Sequence, residues 1–230
     1  MDLPGSHAPT AARDAHPLPL VGFDIETDTE QGGLDPERAA IVAVAVSTDA
    51  GDTVHIGDER DILRRTDALL SSLGRGLLVT WNGASFDLPY VARRAQLLDV
   101  PLGLELTDDP GRRSHREPDR RTVRGRWHSL VHLDGYLLYR ADVGRSLGLS
   151  CGLKPLARLV GMSPVEMDRA RLHLASEEEV TRYVASDART AVEMVRRRMP
   201  AARSQADLPM GEPVPGGTGV APPPTGAARH

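Results

Sequence analysis

The sequence is short of several things, and each shortage excludes something. It has one cysteine, Cys151, in 230 residues. No internal disulfide can form, which fits a reducing, cytoplasmic setting. With no activating neighbours in sequence, Cys151 reads as a small buried hydrophobe rather than a nucleophile. No run of about eighteen apolar residues exists, so no membrane-spanning helix is expected. The N-terminus, MDLPGSHAPTAARDAHP, has neither a basic start nor an apolar core and does not read as a signal peptide. The eight histidines show no metal-ligand spacing; His128 and His132 straddle a loop-to-strand junction, which argues against zinc. No Walker-type or GxGxxG loop is present, so no nucleotide cofactor is expected. Lysine is nearly absent: Lys154 stands alone among 28 basic residues, the rest being arginine. With so much Ala, Gly and Val, that pattern points to coding composition rather than to a mechanism. The formal net charge of −4 rules out a globally basic nucleic-acid binder, so the distribution of charge matters more than its sum.

What is present divides the chain in three. Residues 1–17 are rich in Pro, Ala and His and read as a disordered arm. Residues 200–230 end in VPGGTGVAPPPTGAARH and cannot bury enough apolar surface to offset the entropy of ordering. A single folded domain is expected over 18–199. Within it, LVGFDIE, AIVAVAVST, TVHIG, GLLVTWN and LVHLD read as strands, the second and third as an antiparallel hairpin. Amphipathic patterns predict helices over 58–73, 86–98 and 153–160. Ser176 and Glu179 form a capping box that opens a long last helix, to about Met199. This order predicts an α/β fold, a mixed sheet flanked by helices, with parallel pairing among the later strands.

Into this frame the sequence places carboxylates where they cost energy. The first strand, VGFDIET, carries Asp24 and Glu26 two residues apart and therefore on one face. Side by side they repel and lose hydration. Asp87 begins the helix that follows the Asn82-Gly83 turn in WNGASFDLPYV. Tyr183 and Asp187, in YVASD, are four residues apart and share a helix face. Taken singly, each is as well explained by a strand-edge charge, a helix N-terminal charge or a packed tyrosine. Converging, they would make an oxygen-rich pocket suited to hard cations, Mg²⁺ or Mn²⁺.

The ordered triple FDIET, WNGASFDLPYV and YVASD resembles the three motifs of the DEDD 3′–5′ exonuclease superfamily. Tyrosine in the third motif resembles its DEDDy branch. The NGxxFDxPYV wording is most similar to the exonuclease domains of family B DNA polymerases and their stand-alone relatives. The resemblance spans about 20–198 and implies an RNase H-like fold. It implies a metal-dependent 3′–5′ exonuclease acting on the 3′ end of single-stranded DNA or RNA by a two-metal-ion mechanism, DNA ahead of RNA. Two divalent cations would be held by Asp24, Glu26, Asp87 and Asp187. Tyr183 would orient the water, and Thr27, Asn82 and Phe86 would meet the terminal nucleotides. Two rival readings are an exoribonuclease on the same site and a non-catalytic binding module on the same fold. No polymerase segment is expected to follow, and any protein partner is unknown.

Three further features are weighed. The segment 108–127 reads as a basic insertion; its stretch GRRSHREPDRRTVRGRW holds seven arginines against two acids. A phosphate-holding arm and a solvated loop are equally good readings of it. Trp127 is expected to anchor the loop in the core rather than to stack a base. Asp134, at the end of LVHLD, is expected to support the site rather than to bind a cation.

Overall fold

A computed structural model describes residues 18–30, 34–109 and 122–199. The expected N-terminal arm and C-terminal tail lie outside these residues. So does most of the basic insertion.

Seven strands form one mixed sheet: β1 (Leu20–Thr27), β2 (Ile41–Thr48), β3 (Gly51–Ile56), β4 (Gly76–Thr80), β5 (Leu104–Asp108), β6 (Val123–Trp127) and β7 (Leu130–Asp134). Their order across the sheet is β3-β2-β1-β4-β7-β6-β5. The central β1, β4 and β7 run parallel, and β2–β3 and β5–β6 add antiparallel wings. The main helices are α1 (Glu59–Ser72), α2 (Asp87–Leu97) and α6 (Glu177–Arg197). Between β7 and α6 lie α3 (Gly135–Tyr139), a π-turn segment (Arg140–Gly144), α4 (Arg145–Leu147), α5 (Leu153–Leu159) and a 3-10 segment (Arg169–Leu174). This is the mixed sheet with flanking helices that the alternation of patterns predicts, and among the described residues no helix is long and apolar enough to cross a membrane.

The sheet is covered on both faces. Phe23 and Ile25 of β1 pack with Val44, Ile62, Leu63, Leu70, Leu88 and Val91 under α1 and α2. On the other face Leu77, Val79 and Leu133 meet Ala191, Val192 and Val195 of α6, while Ala43 and Ala45 meet Val180, Val184 and Ala188. Period-two alternation turns Gly22, Asp24 and Glu26 toward α6. Gly22 is what allows that helix so close: a Cβ there would stand 2.4 Å from the Ala188 carbonyl oxygen.

The strands β5 and β6 depart from the sequence reading, which has a hydrophilic loop through residues 108–127. They pair in register from Leu104↔Trp127 to Asp108↔Val123. Pairing and packing make β6 a strand: Trp127 is fully buried, and Gly125 lies under Leu88. Trp127 donates its indole N–H to Asp67 at 2.7 Å, the anchoring role expected of it. Cys151 is buried, as expected of a lone apolar cysteine.

Candidate metal centre

Three carboxylates meet on the α6 side of the sheet. Oxygens of Asp24, Glu26 and Asp187 lie within 4.8 Å of one another. Asp24 and Glu26 come from the carboxyl end of β1, and Asp187 comes from the middle of α6. Tyr183, one turn before Asp187, is 1% exposed. In open sheets with parallel strands, the carboxyl ends are where ligands bind. Here the Gly22–Ala188 approach sets the distance between the two elements.

Asp24 Oδ2, Glu26 Oε1 and Asp187 Oδ1 are buried without a hydrogen-bond partner. A buried carboxylate oxygen ordinarily has one. Three orphaned oxygens converging from two elements fit a hard divalent cation, which takes oxygen ligands and offsets the repulsion. The same crowding perturbs their acidity. Burial pushes the Asp24 carboxyl well above the usual range, with Asp87, Glu26 and Asp187 adding to the effect. Burial raises Glu26 to about 7 against the pull of Arg169. Asp187 is raised by burial and held back by Lys154, whose Nζ lies 3.2 Å from its Oδ2.

Asp87 stands beside this trio rather than within it. It opens α2 and is buried. β4 pairs with β1 only over Leu20–Gly22. Beyond that, the nearby backbone amides of Asp87 itself and of Ile25 favour the charged carboxylate. Burial still raises it to about 7, and Asp134 and Glu26 add to the rise.

The turn that delivers Asp87 is tightly organised. Asn82 has the left-handed φ of 72°. Gly83 follows, and a Cβ there would fall 2.2 Å from Thr80 Oγ1. Asp134 fixes the turn from the next strand: its carboxylate accepts from Asn82 N–H at 2.9 Å and Ala84 N–H at 3.0 Å, and it also caps α3. That is the supporting role expected of it. Phe86 is half-buried with its ring 5.3 Å from Tyr90. Thr27 is buried at the end of β1 and hydrogen-bonds the Tyr90 hydroxyl. It is therefore turned toward α2 rather than toward the three acids. His132 bonds Thr80 at 2.8 Å and His128 lies 3.1 Å from Asp67, so each already has a partner away from the acids.

Two cations escape the sequence reading. Lys154 Nζ sits 3.8 Å from the centre of the Tyr183 ring while it pairs with Asp187. Arg169 donates its Nε–H to the Tyr183 hydroxyl at 3.1 Å and lies 3.7 Å from Glu26. The singularity of Lys154 in an arginine-rich chain is a signal; Arg169 has none.

The sequence profile of the family "DNA polymerase family B, exonuclease domain" matches residues 52–153. That span holds Asn82, Phe86, Asp87 and Asp134 but neither β1 nor α6. A DNA polymerase of Archaeoglobus fulgidus is 33% identical over 86 residues, covering 37% of this chain and 11% of that protein. A DNA polymerase of Pyrococcus glycovorans is 24% identical over 219 residues, covering 86% of this chain and 27% of that one. The family B DNA polymerase structure from Pyrobaculum calidifontis superposes with a TM-score of 0.62 at 24% identity, over 80% of this chain and 25% of that chain. The chain thus spans roughly a quarter or less of the length of these relatives.

Proposed function

We infer that this chain, which resembles the exonuclease domain of family B DNA polymerases in sequence and fold, is a metal-dependent 3′–5′ exonuclease. The observation that carries the reading is the set of three orphaned carboxylate oxygens beside a buried tyrosine. Asp24, Glu26 and Asp187 would hold one Mg²⁺ or Mn²⁺, and Asp87 with Asp24 a second. The cations would supply charge to the phosphodiester oxygens and acidity to the hydrolytic water.

The protein's own groups do the rest. Tyr183 fixes the direction of the water's attack on phosphorus through its hydroxyl. The bond from phosphorus to the 3′ oxygen of the preceding nucleotide breaks, that oxygen takes a proton, and a nucleoside 5′-monophosphate leaves. Asn82 and Phe86, held by the Asp134-braced turn, contact the last bases. The substrate we propose is single-stranded DNA.

The test is incubation with 3′- and 5′-labelled single-stranded DNA and RNA in Mg²⁺, Mn²⁺ or EDTA, beside the Asp24→Ala/Asp187→Ala double variant. Metal-dependent shortening of DNA from the 3′ end, absent in the variant, is expected. Faster shortening of RNA would make the protein an exoribonuclease. Metal binding with no cleavage of either strand would make it a binding module.

A further inference from the structure

We propose that Arg169 is a positioning residue of the hydrolytic site: it occupies the acceptor side of the Tyr183 hydroxyl and so turns the hydroxyl proton away from itself, leaving it for the hydrolytic water. The proposal rests on the exonuclease reading for its catalytic half and on geometry for the other.

A tyrosine hydroxyl carries one proton and two lone pairs, and a guanidinium carries only donors. With Arg169 Nε–H directed at the phenol oxygen at 3.1 Å, the arginine cannot receive the hydroxyl proton. The proton therefore points away from the guanidinium and is left for a water. The result is a directed contact from guanidinium to phenol, which confines the hydroxyl proton to orientations facing away from Arg169. Without Arg169 the hydroxyl would be free to rotate, and its hold on the water would lose its direction.

The segment that presents Arg169 is pinned on three sides. Its carbonyl accepts from the Thr29 hydroxyl at 3.2 Å, just past β1. Leu172 is buried between β2 and α6. Upstream, Val165 N–H donates to Ser186 Oγ at 3.0 Å, next to Asp187 in sequence. The 3-10 segment is therefore tied to the strand that bears Asp24 and Glu26 and to the helix that bears Tyr183 and Asp187. Stability does not account for the residue. Its side chain is 63% exposed and lies 3.7 Å from the buried Glu26, and solvent around the guanidinium screens what that long contact adds.

Two measurements test this. The first needs no activity: hydrogen exchange of the Arg169 Nε–H by ¹H–¹⁵N spectroscopy of the metal-free protein, assigned with Arg169→Lys. Protection is expected, with exchange about tenfold faster in Tyr183→Phe, for a loss of about 1.4 kcal/mol. An unchanged rate overturns the contact. The second is a cycle of Arg169→Met, Tyr183→Phe and the double variant on 3′-labelled single-stranded DNA with Mn²⁺. Arg169→Met is expected to lower kcat about tenfold, with KM within about twofold and Tm within about 2 °C. It is expected to add nothing in the Tyr183→Phe background. Losses that multiply, or a raised KM at constant kcat, overturn action through Tyr183. A wild-type protein without hydrolysis overturns the functional reading and the catalytic half of the proposal together. A protected Nε–H that responds to Tyr183→Phe would still establish the pair.

Discussion

Asp24 shows at the level of one residue what the site lacks when metal is removed. Its buried Oδ2 has no partner, and the charges of Asp87, Glu26 and Asp187 crowd it. Carboxyls raised by burial bind protons in the folded state that the unfolded chain has already released. Metal-free stability is therefore present at low pH and is lost as pH rises from the ordinary carboxylate range through about 7, where Glu26 and Asp87 ionise. Thermal melts in EDTA should fall between pH 5 and pH 8, on the order of 1 kcal/mol or more. Mn²⁺ should restore stability most at the upper end. Asp24→Asn should flatten both trends and lower hydrolysis about a hundredfold or more, since it removes the repulsion along with the ligand. A melt independent of pH in EDTA would contradict the crowding. The acids and the tyrosine were legible in sequence because period two on a strand and four residues on a helix fix which side chains share a face. Lys154 and Arg169 were not legible. They reach the site from short segments whose placement depends on packing and not on a repeat.

At the level of elements, two contacts set the geometry. Gly22→Ala forces a Cβ into the Ala188 carbonyl. α6 must shift, with an expected cost of about 1–3 kcal/mol. Chemical denaturation would measure that cost. Mn²⁺ affinity should fall as well, because the shift separates Asp187 from β1. Unchanged affinity would mean that the helix position is not what assembles the acids. The second contact is Asp134, which gathers the N–H groups of Asn82, Ala84, Tyr136 and Leu137. Asp134→Ala leaves these donors unpaired at an expected cost of about 2–3 kcal/mol. If the turn carries nucleotide-contacting groups, KM for single-stranded DNA should rise while Mn²⁺ affinity at Asp24, Glu26 and Asp187 holds. Equal loss of both would make Asp134 part of the metal site. The β1, β2, β3, β4 and β7 strands and α1, α2 and α6 were readable from patterning and caps. β5 and β6 were not: Val123–Trp127 alternates only weakly, and its strand state comes from pairing with Leu104–Asp108 and from the burial of Trp127.

For the whole molecule, net charge and local charge point in opposite directions. The chain carries −4 overall, yet residues 111–127 hold seven arginines. Of these, Arg124 lies on β6 with Asp109 at 3.1 Å, and Arg126 is on the same strand. The other five lie outside the described residues. If the segment holds phosphates, replacing Arg112, Arg113, Arg116, Arg120 and Arg121 by serine should reduce the slope of log affinity against log salt. The expected reduction is about 0.7 for each lost contact to a single strand. An unchanged slope assigns the arginines to solvation.

The Gly22–Ala188 approach has one more consequence. The strand and helix that it joins are the first and last elements of the domain in chain order. Only a chain that includes both β1 and α6 brings the acids of one to the acid of the other. A fragment that ends between them holds Asp24 and Glu26 without Asp187. By this arrangement, the three-acid cluster forms only when both ends of the domain are present and docked on one another.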